Sequence, residues 1–213
     1  MSVHPSSSNI VRKAATATAA AVVAFAMLGS TAFAAAPVVR DHIASSGAVA
    51  TNTACVATLC TATSVFALVD TSGNPSQACA DITRYDSAAF VALGYETGCA
   101  PLAQAGFSID TKGLATAALA PIDITLQAFT CDTTGCQPTG TTRVARVSAT
   151  YAGVGAVNTS RSNSKSTFGA CAIYLIGKGS SRDATAALTI GTQSLDAVGS
   201  LFASTQKNKV ICH

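Results

Sequence analysis

The clearest alternation of apolar and polar side chains runs from Pro121 to Ala152. A first run places apolar residues at every second position from Ile122, and a second run repeats the pattern, its apolar positions being Ala145, Val147, Ala149 and Tyr151. A cysteine-bounded loop and a Pro-Thr-Gly turn separate the two runs. Since a two-residue period is typical of a half-buried strand, the pattern predicts a β-hairpin with one apolar face. That face needs a covering layer, which we expect to be a second sheet.

Further short runs, apolar throughout or alternating, recur along the rest of the chain and are separated by turn residues. They cover residues 64–70, 78–85, 88–95, 107–110, 171–176, 184–190 and 195–201. Together with the hairpin they predict about nine to ten short strands, a number typical of an antiparallel sandwich. We therefore predict an all-β fold, an antiparallel β-sandwich stapled by disulfides, with a closed β-barrel as the alternative.

Three segments do not follow a clear period. Residues 37–52 are rich in Ser and Ala and are interpreted as a loosely held lead-in. Residues 114–120 are compatible with two helical turns or a short strand, and the short, evenly spaced neighbours favour a strand. Residues 152–168 are long and polar, which indicates either a mobile loop or a polar edge strand.

The N-terminal residues have the order of a secretory signal peptide. Arg12 and Lys13 precede an apolar run that ends at Leu28, and a small-residue site follows at Ala32-Phe33-Ala34. The apolar run is too short for a membrane-spanning helix. We expect residues 1–34 to be removed, leaving residues 35–213 as one secreted β-sandwich domain, extracellular or periplasmic and not membrane-spanning. Its composition fits strands better than helices, since that part has a single glutamate, Glu96, and no tryptophan.

All eight cysteines lie beyond the predicted signal peptide, and an even number behind an export signal indicates disulfides. Two pairs enclose four residues each, a third flanks the open end of a predicted hairpin, and the fourth would tie the C-terminal tail to a central strand. The predicted bridges are therefore Cys55–Cys60, Cys79–Cys99, Cys131–Cys136 and Cys171–Cys212. A zinc site is the rival interpretation, but the cysteine spacing and the scarcity of histidine argue against it, so we expect no metal and no cofactor.

Two segments resemble exported bacterial β-rich proteins that have no assigned role. They are Arg143-Val-Ala-Arg-Val-Ser-Ala-Thr-Tyr-Ala-Gly-Val-Gly155 and Gly179-Ser-Ser-Arg-Asp-Ala-Thr-Ala187. The similar proteins carry an Arg-Val-x-Val-x-Ala-x-aromatic-x-Gly-x-Gly strand followed by an Arg-x-Ala-x-Ala strand. Tyr151 stands here at a position where the pattern favours tryptophan. The resemblance implies a secreted β protein and supplies no site residues.

No motif for catalysis is present in the sequence. A nucleophilic Ser, Thr or Cys needs a nearby base, and beyond the signal peptide the histidines are His42, in the lead-in, and His213, the last residue. No phosphate loop, dinucleotide fingerprint or Cys-x-x-Cys pair occurs. We predict a non-catalytic extracellular or cell-envelope protein, a structural or interaction module and not an enzyme, without catalytic residues. The alternative is a secreted hydrolase that uses carboxylates which the sequence does not single out.

Charge is distributed unevenly along the chain. Residues 35–139 contain three basic and eight acidic residues, a net charge of 3 − 8 = −5, whereas residues 140–213 contain eight basic and two acidic residues, a net charge of 8 − 2 = +6. One interpretation is that the two halves interleave and their charges cancel locally. The other is a rim that binds an anionic envelope polymer, and not nucleic acid, through Arg161, Lys165, Lys178 and Arg182.

Overall fold

The computed structural model describes residues 38–71, 75–103 and 106–212. Within these ranges the regular elements are all β-strands: β1 (Val38–Val56), β2 (Leu59–Asp70), β3 (Gln77–Asp86), β4 (Val91–Pro101), β5 (Phe107–Ile109), β6 (Thr116–Asp132), β7 (Gly135–Phe168), β8 (Cys171–Ile190) and β9 (Gln193–Cys212). The predicted all-β class is therefore confirmed. The predicted signal peptide and its cleavage site lie outside the described residues.

The nine strands form one antiparallel sheet in the order β4-β3-β2-β1-β9-β8-β7-β6-β5. Two-residue turns join β1 to β2, β6 to β7, β7 to β8 and β8 to β9. In addition, β4 pairs with β6 through four residue pairs, from Gly94–Thr130 to Thr97–Gln127. The sheet therefore turns back on itself. β4 is connected to β6 by the series of paired strands β3, β2, β1, β9, β8 and β7, and also by its direct pairing with β6.

The core lies on one side of this sheet. The apolar positions of the predicted hairpin are buried, with Ile124 and Val147 fully inaccessible and Tyr151 only 3% exposed. They belong to one cluster with small buried residues of β1, β2 and β3, such as Ala48 and Ala78. Side chains from distant strands can meet in one cluster only if the sheet curves around them. The layer that covers the central hairpin is thus another part of the same sheet.

Glycine permits the close approach of β4 to β6. A Cβ atom added to Gly98 would overlap the carbonyl oxygen of Thr125, and one added to Gly94 would lie 2.6 Å from the carbonyl oxygen of Phe129. Beside this contact the rings of Tyr95 and Phe129 stack, with centroids 4.5 Å apart. The absence of side chains at the two glycines lets the backbones meet, and the stacked rings fill the space next to them.

Of the segments without a clear period, two agree with an interpretation made from the sequence. Residues 116–120 are the start of β6, so the choice of a strand over helical turns is confirmed. Residues 152–168 are the second half of β7, a polar strand and not a loop. The lead-in interpretation of residues 37–52 is wrong, because β1 begins at Val38 and pairs on both sides, with β2 and β9. Its small side chains pack into the core without producing a conspicuous alternation.

Four strands continue beyond the core as a separate part of the sheet, which we call the arm. It consists of residues 38–44 of β1, 161–168 of β7, 171–178 of β8 and 205–212 of β9. Here β1 has lost its partner β2, whose ladder begins at Ser45, and β7 has lost β6, whose ladder ends at Ala152. None of the described arm side chains belongs to the buried core. We call the remainder of the sheet the body.

The four disulfides are the four predicted pairs. Each joins two residues that lie directly opposite each other on neighbouring antiparallel strands, with Cα atoms 3.9–4.0 Å apart. Cys55–Cys60 and Cys131–Cys136 close the tips of hairpins, and Cys171–Cys212 closes the far end of the arm. Among the described residues no free cysteine remains.

Candidate functional site

The two faces of the arm can be assigned from the strand register. Along β8, Ala184, Ala186 and Leu188 point into the core of the body, so the other even-numbered positions of this strand share that face. In the arm, Lys178 and Ile176 are such positions. We call this side the inner face of the arm, because it continues the side on which the sheet encloses its core. The register extends the assignment to the neighbouring strands.

Among the side chains that the structure describes, the inner face carries five exposed cations on three adjacent strands: Arg161, Lys165, Lys178, Lys207 and Lys209. His42 of β1 lies on the same face, directly opposite Lys207. None of the described residues of this face is an aspartate or a glutamate. Asp41, the acid described in the arm, has the opposite parity and therefore points to the outer face.

The cations lie close to one another. Arg161 is directly opposite Lys178, and Tyr174 lies between Lys165 and Lys209, each of which is its direct partner on a neighbouring strand. The Lys165 Nζ atom is 5.4 Å from the centroid of the Tyr174 ring, within the range of a cation–π contact. Like charges placed directly opposite each other destabilise a sheet, so this face carries an electrostatic cost that a bound anion would remove.

The structure brings together three of the four cations predicted to bind an anionic polymer. Arg161, Lys165 and Lys178 share the inner face, whereas Arg182 is held where the arm meets the body. Its Nε atom donates to the carbonyl oxygen of Gly155 at 3.0 Å, and its Nη1 atom donates to that of Gly113 at 3.2 Å. Arg182 therefore has a structural role in joining two chain segments.

Lys207 and Lys209 were not selected from the sequence, because the prediction considered cations near the polar 152–168 segment. The sequence nevertheless contains a pattern that could have identified these two lysines. Lys207 and Lys209 alternate with Gln206 and Asn208, which places both lysines on one face of any strand formed there. What the alternation could not show is that β9 pairs with β8 in the register that sets Lys209 opposite Tyr174.

In the body, by contrast, opposite charges from the two halves of the chain do meet. Arg143 pairs with Glu96 at 2.6 Å, and Arg146 pairs with Asp123 at 3.3 Å. These are the ion pairs found among the described residues, and neither lies in the arm. The acidic and basic halves of the chain therefore neutralise each other locally in the body, as one of the two interpretations predicted. The arm has no such ion pairs among its described residues and keeps its excess of cations.

Several carboxylates have structural roles in turns. The Oδ1 atom of Asp86 accepts hydrogen bonds from the backbone N–H groups of Ala88 and Ala89, as expected for a turn former. Asp110 accepts from three backbone N–H groups, of Gly113, Ala115 and Lys112, which lower the pKa of its carboxyl.

Asp132 has the corresponding role in the β6–β7 turn. Its Oδ1 atom accepts from the hydroxyl of Thr134 at 2.6 Å and from the backbone N–H groups of Thr134 and Gly135. These bonds, the hydroxyl first, lower the pKa of the Asp132 carboxyl. A carboxylate stabilised in this way in an exposed turn is a poor proton acceptor at neutral pH.

A shallow depression lies on the outer face of the body, where β1, β7, β8 and β9 run side by side. Threonine and alanine side chains line much of it, and Asp196 is the carboxylate among its lining residues. Acid–base hydrolysis by carboxylates needs a second such group across the substrate. Among residues 38–71, 75–103 and 106–212, no group of three or more potential metal ligands is found either.

Tyr151 belongs to the core, as its place in the alternating pattern predicts. Its hydroxyl is buried without a hydrogen-bond partner, and this burial raises the pKa of the phenol. With 3% of its surface exposed, the residue mainly fills space between strands. The exposed cations of the arm are therefore the strongest candidate for a functional surface.

A comparison with protein-family models, curated proteins and solved structures finds no match to the chain. The resemblance to exported bacterial proteins accordingly stays a prediction. The described part of the chain contains no helix that could cross a membrane. Its four disulfides fit a protein that is located outside the cytoplasm.

Proposed function

We propose that the protein is a secreted, non-catalytic interaction module of the extracellular space or the cell envelope, and that it engages its partner through the arm. The observation that carries this proposal is the inner face of the arm, where five exposed cations lie together with no carboxylate among the described residues. A monomer that only had to fold would not need such a face, because the mutual repulsion of its cations destabilises the sheet.

The rest of the described surface supports a binding role over catalysis. The carboxylates with a lowered pKa, Asp110 and Asp132, are committed to turns. The depression on the body offers one carboxylate, Asp196, without a second across it. The predicted signal peptide and the four disulfides support secretion, since bridges of this number are typical of oxidising compartments.

The proposal is tested by measuring retention of the disulfide-bonded protein on immobilised anions of different classes: heparin, anionic vesicles and single-stranded DNA, with neutral dextran as the reference. We expect retention on at least one anionic matrix at low salt and release as salt screens the contact. The triple variant Arg161→Ser, Lys165→Ser, Lys178→Ser should elute at clearly lower salt. If no anionic matrix retains the wild-type protein, the arm is not an anion-binding surface.

The non-catalytic part of the proposal needs a separate measurement. A polymer that is retained should have the same length after prolonged incubation with the protein, as determined by size-exclusion chromatography. Shortening of the polymer would instead identify the protein as a hydrolase.

A further inference from the structure

The inner face of the arm also indicates the kind of anion that it accepts. We propose that it binds a linear acidic polysaccharide, a chain that carries sulfate, carboxylate or phosphate groups along its length. This inference rests on the proposed function and names the partner of that same site. It adds Lys207, Lys209 and the Lys165–Tyr174 pair to the cations singled out from the sequence.

The extent of the cationic surface favours a chain over a small ion. Arg161 and Lys165 are four residues apart on β7, and two strand spacings separate β7 from Lys207 and Lys209 on β9. With a rise of about 3.4 Å per residue and strands about 4.8 Å apart, the cations cover an area of about 10 by 14 Å. A single phosphate or sulfate reaches only two or three of them, whereas an extended polymer can contact all five.

The side chains between the cations suit a hydroxyl-rich partner. Asn163 lies between Arg161 and Lys165 on β7, and Thr205 lies directly opposite Lys178. Both are neutral groups that donate and accept hydrogen bonds. Tyr174 holds the ammonium group of Lys165 over its ring, which reduces the entropy lost when that lysine engages an anion.

The placement of apolar side chains argues against a membrane surface. Phe168, 83% exposed at the end of the arm, has the parity of the outer face, as its register partner Cys171 shows. If the inner face docked on anionic lipid, the ring of Phe168 would point away from the bilayer. Peripheral membrane proteins combine basic side chains with apolar ones that insert between the headgroups. Here Phe168, the most exposed apolar side chain described in the arm, is on the face opposite the cations, and the exposed apolar side chain described on the inner face is Ile176, at 47%.

The disulfides argue against nucleic acid as the partner. Four bridges fit an oxidising compartment outside the cytoplasm, away from the nucleic acids of the cell. Charge complementarity alone would also allow single-stranded nucleic acid, which basic sheet surfaces bind through aromatic stacking. On the inner face of the arm, however, the Lys165 ammonium lies over the Tyr174 ring and occupies a ring face on which a base would stack.

The test uses heparin fragments, from disaccharide to dodecasaccharide, titrated into the disulfide-bonded protein at low salt. Affinity should rise with fragment length until the fragment spans the cationic area, and then level off. The double variant Lys207→Ser, Lys209→Ser should weaken binding of the long fragments about tenfold, because each exposed charge contact is individually modest. The matched control Arg84→Ser, Lys112→Ser removes the same charge from exposed positions of the body and should change affinity less than twofold.

Three results would overturn the inference, and the second of them would also contradict the proposed engagement of the partner through the arm. Equal affinity for the disaccharide and the dodecasaccharide would indicate a site for a single anion. Equal losses in the two double variants would indicate a response to net charge alone. Tighter binding of phosphatidylglycerol vesicles or of single-stranded DNA than of heparin would assign another class of partner. Failure to bind any of these anions would contradict the proposed function as well.

Discussion

At the scale of single residues, carboxylates determine how several turns of the body close. Asp110 shows this most clearly, because the N–H groups of Gly113, Ala115 and Lys112 converge on its side chain and hold the chain between β5 and β6. Four residues after Asp110, the backbone of Leu114 takes a positive φ of 48° while its side chain is fully buried. The Asp110 carboxylate stabilises a backbone conformation that leucine disfavours in isolation.

The lowered pKa of Asp110 predicts a pH dependence of stability. Because the pKa of its carboxyl is lower in the folded than in the unfolded chain, its contribution is fully present above the unfolded pKa of about 3.9 and is lost as pH falls through the folded value. Asp110→Ala should therefore lower the thermal unfolding midpoint near neutral pH, and the difference from wild type should shrink at about pH 3.

Thermal unfolding followed by circular dichroism at both pH values measures this effect. Ser108→Ala, an exposed change on the adjacent strand β5, serves as the control and should leave the midpoint unchanged at either pH. A difference between Asp110→Ala and wild type that is equally large at both pH values would show that the ionised form of the carboxylate is not what stabilises the turn.

At the scale of elements, the arm differs from the body in what holds it together. Its four strands are paired with one another, but neither face packs on a buried core. Small sheets without a packed face are marginally stable in water. The Cys171–Cys212 bridge, which joins residues 41 positions apart at the far end of the arm, restricts the unfolded arm and keeps β8 and β9 in register.

Removal of this bridge should loosen the arm and spare the body. In Cys171→Ser, Cys212→Ser we expect faster amide hydrogen exchange in residues 171–178 and 205–212 and unchanged protection in β2, β3 and β6. Cys55→Ser, Cys60→Ser removes a bridge from a hairpin tip of the body and is the matched control, which should affect exchange only near that tip. Equal acceleration in the arm and the body would show that the arm does not unfold separately.

At the scale of the whole molecule, the pairing of β4 with β6 connects strands that are distant in the sheet order. The contact depends on Gly98, where a Cβ atom would overlap the carbonyl oxygen of Thr125. Gly98→Ala should therefore force the two backbones apart and lower the free energy of unfolding by about 1–3 kcal/mol, the usual cost of overpacking. Chemical denaturation gives this value. Leu93→Ala on the same strand removes a side chain that is 44% exposed, and it should cost clearly less.

Local sequence determined most of the strands, and the bridges, of this protein. Alternation at Ala145, Val147 and Ala149 was sufficient to predict which face is buried, because side chains of a strand point to opposite sides with a period of two. The disulfides could be paired because two cysteine pairs enclose short turns and the others flank predicted strand ends, and antiparallel pairing sets each pair directly opposite. The alternation of Lys207 with Gln206 and Asn208 belongs to the same local information.

Only the tertiary structure decided whether a given face of a strand is buried in the core or exposed to solvent. The inner positions of β8 follow one alternation from Lys178 to Leu188, yet those near Leu188 are buried and Lys178 is exposed, because β2 and β6 accompany the body and not the arm. The lead-in interpretation of residues 37–52 was wrong for a related reason: alanine and serine carry little periodic signal, and β1 forms a strand through ladders with β2 and β9. Contacts between strands far apart in sequence, which no local pattern encodes, gathered the five cations on one face.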